Sequence, residues 1–325
     1  MTRLGYQIPN FSYPDSPPAD IFRTVVAQAK AAEAAGFDRV MVMDHFYQLP
    51  GLGAPGEPMM ECYTMLAALA QHTEKVRLSA LVTGNTYRNP TLLAKTITSL
   101  DHVSGGRATL GIGAGWFQLE HDQLGFEFGT FSERFEKLEE SLQIILPMLR
   151  GEKVTFKGKY YDVTDAVNSP APVSRIPVMI GGVGEKKTLR MVAQYGDESN
   201  LSNCPVPEIP HKLDVLAEHC ERVGRDRSEI QVTKMQMVCV APTEAEADAD
   251  MRAMGKVKGW NDEVITMMKS VLIYGDPDTV GEKLLTALNT GIDGVMINAP
   301  VNGHNPERVA LMGQVAGKAL KEAGK

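Results

Sequence analysis

The sequence contains few cysteines, and they are scattered along the chain. Cys62, Cys204, Cys220 and Cys239 are far apart and form no CxxC pair. We therefore expect neither a disulfide framework nor a zinc site, and no other metal-binding spacing is present. Isolated thiols of this kind are typical of proteins in a reducing cytoplasm.

Long hydrophobic runs are also missing. No apolar stretch reaches the roughly 18 residues that a membrane-spanning helix requires. Residues 1–10 lack the cationic and apolar regions of a signal peptide, so we expect a cytoplasmic protein without a membrane partner.

An excess of positive charge is absent as well. The 33 Lys and Arg residues are outnumbered by 40 Asp and Glu residues, which gives a net charge of −7. Because the basic residues are scattered, a nucleic-acid partner is not expected. With 43% apolar and 22% charged residues, the composition is typical of a globular protein and excludes a disordered, collagen-like or coiled-coil chain.

Apolar runs of strand length alternate along the chain with segments of helical spacing. We count eight such runs, at residues 4–8, 39–43, 76–84, 108–113, 178–180, 197–201, 230–240 and 294–298. This alternation predicts an α/β fold, a (β/α)8 TIM barrel with insertions that forms one domain over residues 1–325. A doubly wound open sheet is the alternative, but the GxGxxG turn of a nicotinamide-binding domain does not follow the first strand.

Two segments interrupt the alternation and are interpreted as insertions. The segment near 151–176 is rich in turn residues, and two short apolar runs within it predict a small hairpin outside the main fold. Residues 255–272 fit neither the helical nor the strand period well. Together with the loop 51–57, this second insertion is expected to cover the site.

Two glycine-rich turns follow strands of the predicted barrel. Gly111, Gly113 and Gly115 alternate after the fourth strand, and Gly181-Gly-Val-Gly184 precedes a helix after the fifth. Glycine permits close backbone approach, and a helix N-terminus favours a phosphate. These turns therefore indicate either a phosphate-bearing cofactor or ordinary barrel connections, and the residues alone leave both open.

Three further side chains stand where an active site is expected, at the C-terminal ends of the strands. Asp44 and His45 directly follow the second strand, and Trp116 follows the fourth. Histidine exchanges protons near neutral pH, although a histidine at a strand end is often structural. Trp116 is interpreted either as core packing or as a wall over a planar ring.

Several of these motifs occur together and in order in a known family. The chain resembles the luciferase-like monooxygenase superfamily, and within it the coenzyme F420-dependent oxidoreductases. The matching segments are Val42-Met-Asp-His-Phe46, Leu81-Val-Thr-Gly-Asn-Thr-Tyr-Arg-Asn-Pro90, Ser99-Leu-Asp-His-Val-Ser-Gly-Gly-Arg107, Leu110-Gly-Ile-Gly-Ala-Gly-Trp116, Gly158-Lys-Tyr-Tyr161 and Pro177-Val-Met-Ile-Gly-Gly182. Together they are specific for the superfamily, and less so for the cofactor, because FMN-using relatives share several of them.

The resemblance implies a bacterial luciferase-like barrel that binds coenzyme F420, with FMN as the alternative, and that often forms a homodimer. It implies a cis peptide bond near Leu81–Val82 or Val82–Thr83, and phosphate contacts from residues 181–184. His45 is similar to the histidine that faces the reactive ring. The residues expected to bind the cofactor are Asp44, Val82, Thr83, Gly84, Gly113, Gly115, Gly181, Gly182, Val183 and Gly184.

The function implied is hydride transfer between the deazaflavin C5 and a small organic substrate, with His45, Asp44 and Trp116 as the catalytic residues. His45 would stabilise charge or move a proton, while Asp44 would orient it or contact the ring. Sugar-phosphate dehydrogenases of the family have Glu where this chain has Trp116, so an apolar substrate is expected. The alternatives are an FMN-dependent monooxygenase using reduced flavin and O2, a non-catalytic flavin-binding barrel, and a phosphate-handling isomerase or aldolase.

Overall fold

The computed structural model describes residues 3–325. Its strands are β1 (Leu4–Ile8), β2 (Arg39–Val42), β3 (Arg77–Ala80), β4 (Thr83–Gly84), β5 (Leu110–Gly113), β6 (Val154–Lys157), β7 (Asp162–Ala166), β8 (Val178–Gly181), β9 (Glu198–Asn200), β10 (Gln231–Val240), β11 (Ile273–Gly275) and β12 (Gly294–Asn298). Its α-helices are α1 (Ile21–Ala34), α2 (Cys62–Ala70), α3 (Pro90–Val103), α4 (Gln118–Leu124), α5 (Phe131–Leu149), α6 (Arg190–Tyr195), α7 (Ile209–Val223), α8 (Glu244–Lys258), α9 (Asp262–Val271), α10 (Pro277–Leu288) and α11 (Pro306–Glu322).

The parallel strands form a nearly closed barrel, as the alternation predicts. Their order is β3-β2-β1-β12-β10-β9-β8-β5-β4, and β11 pairs with β10 outside this path. A parallel bridge between Leu78 and Ala108 joins β3 to the segment before β5 and brings the two ends of the sheet together. The open-sheet alternative is therefore wrong, and the TIM-barrel class is confirmed. The prediction that residues 1–325 form one domain stays a prediction.

The third predicted strand, 76–84, is interrupted. It is divided into β3 and β4 by a cis peptide bond between Leu81 and Val82, the first of the two positions implied by the resemblance. The amide of Gln7 donates to the Leu81 carbonyl over 2.9 Å, and Asn298 donates to Gln7 over 2.7 Å. Side chains from β1 and β12 thus hold this interruption from across the barrel.

The barrel strands are buried on both faces, which explains their continuous apolar runs. Their inner faces meet in a cluster built around Met41, Met179 and Met296. One pair of charged side chains also lies inside, because the guanidinium of Arg39 donates to the carboxylate of Glu198 over 2.8 Å. The outer faces pack against the helices in the main hydrophobic core.

The structure confirms the prediction for one of the two insertions and contradicts it for the other. The segment near 151–176 contains the antiparallel hairpin of β6 and β7, as predicted. The interpretation of 255–272 as aperiodic is wrong, because these residues contain the end of α8 and the whole of α9. The Asn261 side chain accepts a hydrogen bond from the Val264 N–H and so caps α9, and β11 follows directly.

A membrane-spanning element is not found among residues 3–325. Each helix there is too short or too polar to cross a bilayer.

Candidate active site

The residues predicted to form the site follow neighbouring strands at one end of the barrel. Asp44 and His45 follow β2, Val82 lies between β3 and β4, Trp116 follows β5, and the turn 181–184 ends β8. The C-terminal ends of parallel strands open on the same face, and this face carries the active site in barrels of this kind. The topology therefore places these segments at one barrel mouth.

Asp44 is buried, and its carboxylate is fully engaged. Arg88 donates two hydrogen bonds to it, from Nη1 to Oδ2 over 2.5 Å and from Nη2 to Oδ1 over 2.9 Å. The Gly84 N–H also donates to Oδ2, over 3.0 Å. This geometry ties the end of β2 to the turn after β4, and neither oxygen of Asp44 forms a hydrogen bond with His45.

His45 is held by another carboxylate. Its Nδ1 lies 2.9 Å from Oε2 of Glu120, which belongs to α4. The edges of Trp116 and Phe117 contact the ring, with centroids at 5.8 Å and 5.9 Å. The side chain is 13% exposed, and Nε2 donates to or accepts from no atom of residues 3–325. His45 can therefore exchange a proton with a ligand through Nε2.

Glu120 is a residue of this candidate site that the sequence does not reveal. It is fully buried, and its Oε1 accepts from the Phe46 N–H over 2.5 Å and the Tyr47 N–H over 2.8 Å. Its Oε2 accepts from the Tyr87 hydroxyl as well as facing His45. Burial acts to raise the pKa of Glu120. The hydrogen bond and charge of His45, together with the hydrogen bonds donated by the Tyr87 hydroxyl and the Tyr47 N–H, outweigh burial and hold this pKa below its ordinary value.

The site lacks a local signal for Glu120 because its partners are distant in sequence. His45 precedes it by 75 residues and Tyr87 by 33. The α4 helix is only seven residues long, so it shows no apolar period. The only local feature that relates Glu120 to the predicted site is its spacing, four residues after Trp116.

The Val82 side chain shapes the inside of the mouth. A Cβ at Gly113 would lie 2.9 Å from Val82 Cγ2, and one at Gly181 would lie 2.9 Å from Val82 Cγ1. Two of the predicted cofactor-binding glycines are therefore required by packing whether or not a ligand binds. Thr83 is buried, and its hydroxyl lies 2.6 Å from that of Tyr63, so it faces the protein.

The other predicted glycines lie in turns. Gly115 has φ +81° and Gly182 has φ +127°, conformations that strongly favour glycine. The Gly182 N–H donates to the Asn200 carbonyl over 3.0 Å. The N–H groups of Val183 and Gly184, however, donate to no atom in the described part of the chain. They precede the helical turn Glu185–Leu189 that runs into α6, so they can bind an anion.

Trp116 is not core packing, because 59% of the residue is exposed. It stacks on Phe117 with a centroid distance of 5.2 Å and an interplanar angle of 26°. A second apolar cluster lies among the segments that follow β2, β10 and β12, and it includes Met43, Met251 and Met254. These methionines are buried in that cluster, so the exposed apolar surface beside His45 comes from Trp116.

Comparison with known proteins agrees with this architecture. The sequence model of the family described as luciferase-like monooxygenase matches residues 2–294. The chain therefore belongs to the luciferase-like monooxygenase family.

Two curated relatives are both described as F420-dependent glucose-6-phosphate dehydrogenases. An F420-dependent glucose-6-phosphate dehydrogenase of Tsukamurella paurometabola is 36% identical, with 88% of this chain and 90% of the relative covered. One of Nakamurella multipartita is 28% identical, with 96% and 94% covered.

Solved structures share the fold. An F420-dependent secondary alcohol dehydrogenase, solved with an F420–acetone adduct, superposes with a TM-score of 0.78 at 20% identity, covering 98% of this chain and 99% of that one. A long-chain alkane monooxygenase superposes with a TM-score of 0.80 at 16% identity, covering 99% and 92%. At these identities the likeness establishes the fold alone.

Proposed function

We propose that the protein is an F420-dependent oxidoreductase that transfers a hydride between the deazaflavin C5 and a small apolar substrate. The choice of cofactor is supported by the two curated relatives above, which match about nine-tenths of the chain and are both described as F420-dependent. The His45–Glu120 pair at the barrel mouth supports an enzyme rather than a passive flavin-binding protein.

The residues at the mouth fit such a cofactor. The free N–H groups of Val183 and Gly184 would hold its phosphate, in the turn 181–184. Both amide atoms of Asn85 and Oδ1 of Asn298 are buried without a partner among residues 3–325, which leaves donors and acceptors for the polar edge of a heterocycle. Asp44 would act indirectly, by fixing Gly84 and Arg88, and Val82 would contact the ring.

The bound coenzyme supplies the hydride chemistry, and the chain supplies position and charge. His45 would stabilise charge or exchange a proton with the substrate oxygen through Nε2. The Trp116 and Phe117 rings limit the access of water to His45 and hold its plane. Arg190 is unavailable to the cofactor, because it forms two hydrogen bonds with Glu139, of 2.7 Å and 2.6 Å.

The substrate differs from that of the sugar-phosphate relatives. Trp116 presents an exposed indole beside His45. Such a surface favours apolar carbon groups over a phosphorylated sugar, because it offers no compensation for desolvating the sugar hydroxyls. We therefore propose a small alcohol, aldehyde, ketone or enone as the substrate class.

The test is to titrate the purified protein with F420 and with FMN separately, following fluorescence. Tight binding of F420 and weak binding of FMN is the expected result. His45→Ala should keep F420 binding and lower turnover at least about tenfold. His72→Ala, an exposed histidine on the edge of Phe22, is the matched control and should change neither.

An FMN-dependent monooxygenase is the second candidate, because the alkane monooxygenase has the same barrel. Preferential binding of FMN would overturn the F420 proposal and move the assignment to oxygen chemistry with a reductase partner. If neither cofactor bound, the glycine turns would be structural and both candidates would fail. The implied homodimer stays a prediction, which light scattering of the purified protein tests.

A further inference from the structure

Glu120 connects three segments around His45. It lies on α4, and its partners come from the loop after β2 and from the turn after β4. Its four contacts are the His45 ring, the Tyr87 hydroxyl and the N–H groups of Phe46 and Tyr47. Both oxygens are thus used within the protein, and Glu120 has no accessible surface of its own. It therefore cannot meet a ligand directly and can act only through its neighbours.

The contact with Glu120 dictates the protonation of His45. An ionised carboxylate only accepts hydrogen bonds, so Nδ1, 2.9 Å from Oε2, must carry the proton. Nε2 is on the opposite side of the ring and has no hydrogen-bond partner within the described residues. Neutral His45 therefore presents a lone pair at Nε2, and cationic His45 presents an N–H there.

The surroundings of Glu120 favour its ionised form. Three donors besides His45 converge on it, two of them backbone groups that cannot reverse their role. Burial and the neighbouring Glu120 raise the pKa of Tyr87, so its hydroxyl stays protonated and donates. Tyr87 is itself fixed by stacking on His121, with a centroid distance of 4.8 Å.

The other groups around His45 do not replace this carboxylate. Asp44, its neighbour in the chain, is neutralised by Arg88 through two hydrogen bonds. Trp116 and Phe117, which contact the ring from the segment after β5, carry no charge. Glu120 is thus the ionisable side chain in hydrogen-bond contact with the imidazole among residues 3–325.

We propose that Glu120 is the positioning residue of His45, which fixes the Nδ1–H tautomer and stabilises the imidazolium while leaving Nε2 to the substrate. Hydrogen-bonded carboxylates have this effect on functional histidines generally. Its consequence for turnover rests on the proposed function, whereas the tautomer is a property of the protein without cofactor.

The first test is NMR of the cofactor-free protein labelled on histidine, since the imidazole nitrogen shifts distinguish the tautomers. The signals of His45 are assigned by their loss in His45→Ala. We expect the Nδ1–H tautomer in the unmodified protein. Glu120→Gln should mix the tautomers, because the anion that requires a proton on Nδ1 is gone.

Asp122→Asn is the matched control, because it removes an exposed carboxylate from the same helix. It should leave the tautomer of His45 unchanged. If Glu120→Gln does not fold, Glu120→Asp and Tyr87→Phe keep an anion and should retain the tautomer. An Nε2–H tautomer in the unmodified protein would overturn the proposal, and so would an unchanged His45 tautomer in Glu120→Gln.

The kinetic test uses the F420-loaded protein. Glu120→Gln should lower kcat at least about tenfold with little change in KM. Glu120→Asp should recover part of the loss. Failure of F420 to bind would overturn the proposed function alone, since the NMR result decides the role of Glu120 separately.

Discussion

Val82 and Gly181 approach so closely that any side chain at position 181 would displace Val82. A Cβ built on Gly181 would lie 2.9 Å from Cγ1 and 3.2 Å from Cγ2 of Val82. The same side chain restricts Gly113 on the neighbouring strand β5. Glycines that follow the strands of such a barrel thus have two physical reasons to be there, and packing is sufficient at these two positions.

The first prediction concerns this contact. Gly181→Ala should lower the free energy of unfolding by about 1–3 kcal/mol, the usual cost of overpacking a filled interior. Val82→Ala combined with Gly181→Ala should recover part of it, because the methyl groups that clash are removed. Gly317→Ala is the control: a Cβ there meets no atom within 4 Å and lies in helix α11, so stability should rise by up to about 1 kcal/mol. Chemical denaturation measures all three, and equal effects at both glycines would contradict the packing argument.

Much of the barrel is encoded locally. The predicted strands 4–8 and 294–298 coincide with β1 and β12, because their apolar runs are bounded by polar or turn residues. Helix α5 begins at a signal that is local in the sequence, a capping box in which Thr130 and Glu133 cap each other. The missed elements α4 and β11 are short, so tertiary contacts decide them. Helix α9 begins at a local signal, the Asn261 cap, which the sequence prediction does not use.

The candidate site is encoded less completely. Asp44 and His45 are found by their position after β2, but their partners are not, because Arg88 and Glu120 come from other segments. Sequence proximity favours Asp44 as the partner of His45, and the structure places Glu120 there instead. The pairing of each carboxylate with His45 or Arg88 is set when the barrel closes and brings distant segments together. No local sequence pattern encodes this pairing.

The second prediction uses Glu33, which ties α1 to the segment before β3. Its Oε1 accepts from the N–H groups of Glu74 (2.9 Å), Lys75 (2.6 Å) and Val76 (3.0 Å). Burial acts to raise the pKa of Glu33, but these hydrogen bonds outweigh it and lower the pKa. Glu33→Gln should therefore cost about 1–2 kcal/mol at pH 7.

The pH dependence of this cost has a definite sign. The folded state holds the pKa of Glu33 below its unfolded value, so the contribution is present above about pH 4.5 and is lost as pH falls through the folded pKa. The difference in unfolding free energy between the unmodified protein and Glu33→Gln should shrink between pH 5 and about pH 3. A difference that stayed constant over this range would contradict the assignment.

The third prediction addresses Arg88 and Asp44. Lysine cannot make the two parallel hydrogen bonds that the guanidinium makes to this buried carboxylate, so Arg88→Lys should cost about 1–3 kcal/mol. Arg222→Lys is the control, because Arg222 pairs with Glu218 on the surface with both side chains more than half exposed. There the change should be below about 0.5 kcal/mol. Urea denaturation compares them, and similar losses would show that the geometry of the Asp44 pair is unimportant.

The fourth prediction concerns the loop 51–57 and helices α8 and α9, the segments that we expect to cover the barrel mouth. The Lys258 side chain at the end of α8 is fully buried and pairs with Glu57, which also accepts from the Ala54 N–H over 3.0 Å. Glu57→Gln leaves a buried ammonium without its counter-ion, which costs about 3–5 kcal/mol in comparable pairs. Because the pair joins two peripheral segments, we expect the lost stabilisation to appear as local opening of these segments rather than as global unfolding.

Hydrogen exchange measures that opening segment by segment. Glu57→Gln should speed exchange in residues 51–61 and at the end of α8 while leaving the barrel strands protected. The double variant Glu57→Leu with Lys258→Met should restore protection, since apolar side chains of similar size replace a buried ion pair without loss. Glu152→Gln, in an exposed pair with Arg150, is the control and should change nothing. Faster exchange throughout the barrel would mean that the pair supports the whole fold rather than its cover.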